Sequence, residues 1–128
     1  MIKPVNFEEN VEYILHEDRK SKKPTKWFFR PLELQEEIYL RKIAAKAVNS
    51  KDIGDALDVQ PVFLHVALCG AENWDGEFKR NEKAEPIVGD IKPWTDRTLA
   101  NIPRDCRQEL VNFAMRGYSE LSEDELKN

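Results

Sequence analysis

Pro61-Val-Phe-Leu-His-Val-Ala-Leu-Cys-Gly70 is the most apolar stretch of this chain, and how it is read decides how the rest is arranged. Proline suits the first helical turn, where its missing N–H costs nothing. Glycine suits the left-handed residue that closes a helix. The stretch therefore reads as a helix over 61–69. It is apolar all round, and such a helix is either central to a core or half-covered by another chain.

Working towards the amino terminus, residues 33–48 form a second helical pattern. Leu40, Ile43, Ala44, Ala47 and Val48 recur at steps of three and four and make one apolar stripe. Glu33, Glu36 and Glu37 lie early and Arg41, Lys42 and Lys46 late, in keeping with the helix dipole. Pro31 is placed for the first turn, and Asn49-Ser50 and Gly54 close the segment. Before Pro31 the chain reads as extended. Val11, Tyr13 and Leu15 alternate with Glu12, Ile14 and His16, and Lys26-Trp-Phe-Phe-Arg30 is short and aromatic, as strands are. The polar, basic stretch 17–25 between them predicts a hairpin with a mobile tip. Its cluster of Arg19, Lys20, Lys22, Lys23 and Lys26 has the composition of a solvated tip, with phosphate contact as the rarer use.

Towards the carboxyl terminus, a long connection runs over 71–96. It carries Asn73-Trp-Asp-Gly76, a turn signal, and then Pro86, Gly89 and Pro93. A connection of this length inside a compact domain is usually a binding segment or is mobile when unbound. Its three large aromatics, Trp74, Phe78 and Trp94, either fold back as lids over the core or meet a partner. After Pro103, Cys106, Leu110, Phe113, Ala114, Gly117 and Leu121 share one helical face, predicting a helix over 104–118. Ser122-Glu-Asp-Glu125 has the form of a capping box, a helix start with almost no helix after it.

The expected fold is mainly α with a small N-terminal β-hairpin, in a single domain of three to four helices. The hairpin occupies 1–31, the first helical part 32–70, the aromatic connection 71–96 and the C-terminal helical part 97–128. The chain has 128 residues, of which 34% are charged and 41% apolar, an ordinary globular mix. A net charge of −4 weighs against general nucleic-acid binding. No apolar run approaches the roughly 20 residues that cross a bilayer, so no membrane span is expected. The first ten residues lack the pattern of a signal peptide. Cys69 and Cys106 lie far apart without CxxC spacing, which suits reduced thiols in a cytoplasmic setting.

The chemistry available is narrow. His65 and Cys69, one helical turn apart, could share an ion with Cys106 and His16, but one i,i+4 pair is all the spacing offers. A buried thiol and a hydrogen-bonded imidazole are the commoner use of such residues. A cysteine in an apolar helix has its thiolate disfavoured, and the five glycines form no phosphate loop. No catalytic residue, metal or cofactor is expected. What remains is apolar surface, and exposed apolar surface marks protein–protein contact. Val62, Phe63, Val66, Trp74, Phe78 and Trp94 are the candidate partner-binding residues.

Four segments, in order, resemble the tail assembly chaperones of long-tailed, siphovirus-type phages and prophages. They are Trp27-Phe-Phe-Arg-Pro-Leu32 leading into a charged helix, Leu68-Cys-Gly-Ala-Glu-Asn-Trp-Asp-Gly-Glu-Phe78, Ile102-Pro-Arg-Asp-Cys-Arg-Gln-Glu-Leu110, and Leu121-Ser-Glu-Asp-Glu-Leu-Lys-Asn128. Together they span about residues 27–128. The resemblance implies a non-catalytic protein that binds the tape-measure protein, keeps it soluble, and recruits tail-tube subunits in the host cell cytoplasm. It also implies absence from the mature virion and a longer product made by ribosomal frameshifting, which would complete the helix opened at Ser122. Homo-oligomerisation is compatible with it. Two alternatives use the same features: a virion head–tail joining or tail-completion protein, and a small regulator that binds a host protein.

Overall fold

The computed structural model describes residues 2–49, 51, 53–78 and 96–119, with the backbone alone for 54–58. It contains β1 (Val11–Tyr13), β2 (Lys26–Phe29), α1 (Leu34–Asn49), α2 (Ile53–Ala67), β3 (Leu68–Glu72), α3 (Arg97–Ala100) and α4 (Arg104–Met115). The fold is mainly α with a small antiparallel sheet, as expected.

The hairpin forms because period-two alternation presents Tyr13, Trp27 and Phe29 to one face, where all three are buried. Tyr13 pairs with Trp27 and Val11 with Phe29. The sheet has a third strand that the sequence reading missed. β3 lies on the far side of β2, pairing Phe28 with Gly70 and Phe29 with Leu68 across an irregularity in register.

The decisive stretch 61–70 is therefore divided. Its first seven residues end a helix that begins at Ile53, with Pro61 inside rather than at the start. Its last three residues open β3, and Gly70 sits opposite Phe28 instead of capping the helix. The stretch turns at Ala67 because Arg30 meets it there. The Arg30 backbone N–H donates to the Ala67 carbonyl at 3.0 Å and its Nε donates to the Val66 carbonyl at 2.8 Å. Those are end-of-helix carbonyls, which favour a cation.

The core gathers around α2, which packs between α1 and α4. Phe29, Phe113 and Tyr118 pack ring to ring, and Tyr13 stacks on Phe113 at 4.2 Å. α1 starts at Leu34, so Pro31 precedes the helix rather than occupying its first turn. α4 ends three residues before the expected end, and Gly117, expected on its apolar face, closes it instead. Gly117 takes a φ of 65°, its N–H reaches the Ala114 carbonyl, and the Tyr118 N–H reaches that of Phe113. The capping box over 122–125 and Leu121 lie outside the described residues.

Candidate interaction surface

The six residues expected to meet a partner separate into three groups. Val62, Phe63 and Val66 are buried in the core, with Val66 fully enclosed. That corrects the expectation: over residues 62–67, neighbours within this chain cover the apolar side chains of α2. Trp74 and Phe78 are half-buried and pack on the same core. The Trp74 ring lies 5.1 Å from that of Trp27. Gly76 lies against the Trp74 indole so closely that a Cβ there would sit 2.5 Å from Nε1. Trp74 thus acts as a lid. Trp94 lies outside the described residues.

The open apolar surface is elsewhere. A groove of about 990 Å³ runs between the N-terminal segment, α1 and the end of α4. Leu32, Leu40, Ala44, Phe63, Ala114 and Met115 line it, and Val5 and Val11 form its outer wall. Met115 is 49% exposed and Val5 67%, so side chains reach from the core to solvent along this path. Lys3, Arg41 and Arg116 add positive charge around it, and Glu9 and Glu37 negative charge. Sequence reading missed the groove, because α1 looked amphipathic and the N-terminal segment looked like a lead-in.

Beneath the groove lies a polar junction. Arg30 and Glu36 are both buried, at 3% and 0% exposure, and form an ion pair through the Arg30 guanidinium. The Glu36 Oε1 also accepts the backbone N–H of Glu33 at 3.0 Å, so one carboxylate caps α1 while its partner cation caps α2. The Tyr118 hydroxyl closes the junction by donating to the Arg30 carbonyl at 2.8 Å. Burial holds the Tyr118 hydroxyl pKa above its ordinary value and pushes that of Arg30 down. Its sequence signals were Arg30 at the end of an aromatic strand, directly before a proline, and Glu36 at the third helical position, where it read as an acid suiting the helix dipole.

The histidines and cysteines go to separate partners. His65 Nδ1 lies 3.1 Å from Asp96 Oδ2, and Asp96 caps α3 through the Thr98 N–H. Cys69 Sγ donates to the Phe28 carbonyl at 3.4 Å. The Cys106 thiol donates to Glu17 Oε1, and the backbone N–H of His16 donates to Glu109 Oε2. Among the described residues no group of His, Cys, Asp or Glu could hold a metal ion. Burial, the Glu17 hydrogen bond and neighbouring carboxylates push the Cys106 thiol up to about 11, which keeps it protonated near neutral pH. Among the described residues no helix is long and apolar enough to cross a membrane.

No family model, curated protein or solved structure matches this chain.

Proposed function

We propose that this protein is a non-catalytic tail assembly chaperone of a long-tailed phage or prophage. In this reading it binds the tape-measure protein and recruits tail-tube subunits in the host cytoplasm, and it is absent from the finished virion. The reading is carried by the ordered set of four resembling segments over residues 27–128. Three of those segments contribute to the molecule's organising contacts, Leu68 to Phe78 by supplying β3 and the Trp74 that packs on Trp27. Trp27 to Leu32 supplies the β2 core residues and Arg30, and Ile102 to Leu110 opens α4 with Ile102 and Leu110 buried.

The groove supplies a physical means. A long apolar helix aggregates unless its apolar face is covered, and a groove of this shape can take such a face reversibly. Val5 and Met115 supply the exposed apolar contact, in place of Val62 and Val66, with the buried Phe63 lining the groove behind them. The net charge of −4 favours solubility of the assembled complex.

Co-expression with the tape-measure protein of the same genome tests the reading. The chain should co-purify with that protein, and Val5→Asp with Met115→Asp should cut recovery at least about tenfold, the loss expected when an apolar anchor is replaced by a charge. Stoichiometric presence of the chain in purified particles would instead favour the head–tail joining alternative.

A further inference from the structure

The groove leaves one strongly charged feature unused, the loop joining β1 to β2. Arg19, Lys20, Lys22 and Lys23 crowd into this loop of a chain whose net charge is −4. The nearby carboxylates are engaged internally. Asp18 Oδ2 accepts the Thr25 N–H at 2.7 Å, and Glu17 Oε1 takes the Cys106 thiol at 3.4 Å. Glu109 Oε2 accepts the Tyr13 hydroxyl at 2.6 Å and the His16 N–H at 2.9 Å. Lys26 pairs with Glu12 at 3.4 Å, and Arg19 donates to the Ile14 carbonyl while lying over the Tyr13 ring. Lys20, Lys22 and Lys23 are exposed, and among the described residues no carboxylate pairs with them.

The loop is also tied back to the body of the molecule by hydrogen bonds. Thr25 Oγ1 donates to the Asn73 carbonyl at 2.7 Å, and Asn73 Nδ2 donates to the Pro24 carbonyl at 3.1 Å. Within the loop the Ser21 N–H bonds the Asp18 carbonyl, and the Lys23 N–H bonds Ser21 Oγ. A loop already ordered loses little further entropy when a ligand arrives.

We propose that this basic loop docks a short acidic segment of another polypeptide. Three unpaired ammonium groups on an ordered loop complement a compact run of carboxylates. Charge pairing of this kind acts mainly on specificity and encounter rate. A nucleic acid fits less well. Its affinity grows with the number of phosphates neutralised, whereas this loop offers only a few cations and a polyanion running past them meets a net acidic chain. None of the four basic residues lines the groove, so this contact stands independently of the assembly reading.

Fluorescence anisotropy of a labelled, glutamate-rich peptide against the full chain tests the proposal. The peptide should bind at low ionic strength and weaken at least about tenfold as salt shortens the screening length. Combined Lys20→Glu, Lys22→Glu and Lys23→Glu should abolish binding with unchanged circular dichroism. The corresponding glutamine triple should weaken binding about tenfold and decides the matter if the glutamate triple fails to fold. The proposal is overturned if the peptide does not bind at low salt, or if the glutamine triple binds as the parent does. It is equally overturned if a single-stranded oligonucleotide or an anionic vesicle is held more tightly than the peptide.

Discussion

α1 and α2 are adjacent helices of nearly equal length with opposite relations to solvent. α2 carries the most apolar sequence, yet Val62, Phe63, Leu64, Val66 and Ala67 are all buried. α1 reads as an ordinary amphipathic helix, yet Leu34, Ile38 and Val48 are 70%, 45% and 82% exposed. What it buries instead is Leu40 and a carboxylate, Glu36. The difference is one of neighbours. α2 has α1 on one side and α4 on the other, whereas α2 is the only extensive packing partner of α1 among the described elements. Apolar content therefore does not tell which face awaits a partner; the number of elements that reach the face does.

The comparison can be broken most directly on α2. Phe63→Ala should lose about 3–5 kcal/mol of stability, as large-to-small core substitutions of phenylalanine do. Chemical denaturation measures this, and a loss near zero would return Phe63 to the surface. On α1 the corresponding test is Glu36→Gln. Removing the carboxylate strands the buried Arg30 cation and should also cost about 3–5 kcal/mol. If Arg30→Met in the Glu36→Gln background recovers part of that loss in the same denaturation assay, the penalty is the unpaired charge rather than lost packing.

A smaller effect sharpens the same contrast at high pH. Tyr13 and Tyr118 keep their hydroxyl protons above the ordinary value of 10.0, chiefly through burial, with the Glu109 hydrogen bond adding to the effect at Tyr13. The folded chain thus binds protons that the unfolded chain has released. The tyrosine contribution is complete below about pH 10 and declines above it by about 1.4 kcal/mol per pH unit for each tyrosine. Tyr118→Phe should flatten part of that alkaline limb in a pH series of denaturation midpoints. The smallest effect belongs to the exposed face of α1. Ile38→Ala should change stability by no more than about 0.5 kcal/mol, as surface substitutions do, and a larger loss in thermal unfolding would place Ile38 within the core.

Much of the architecture was legible in the residues. Tyr13, Trp27 and Phe29 alternate with more exposed neighbours, and the observed hairpin uses that alternation. Leu110, Phe113 and Ala114 recur at helical spacing, and the observed α4 buries all three. The candidate surface was less legible. Trp74 could be a lid or a contact by sequence alone, and its place beside Trp27 under Gly76 makes it a lid. The groove was invisible because its walls come from three separated stretches, around Val5, Leu40 and Met115.

Side-chain periodicity and turn chemistry are local properties, so the amino-acid order alone determined the hairpin and the helical faces. Whether Leu68-Cys-Gly70 continues a helix or opens a strand is not local, since an apolar run of that length satisfies both periods. Only the tertiary structure decided it, by placing β2 alongside and Arg30 against the last carbonyls of α2. The same holds for Arg30 and Glu36. A charge can be buried only when its counter-charge and hydrogen-bond partners arrive from elsewhere in the chain, and that meeting is made by the fold.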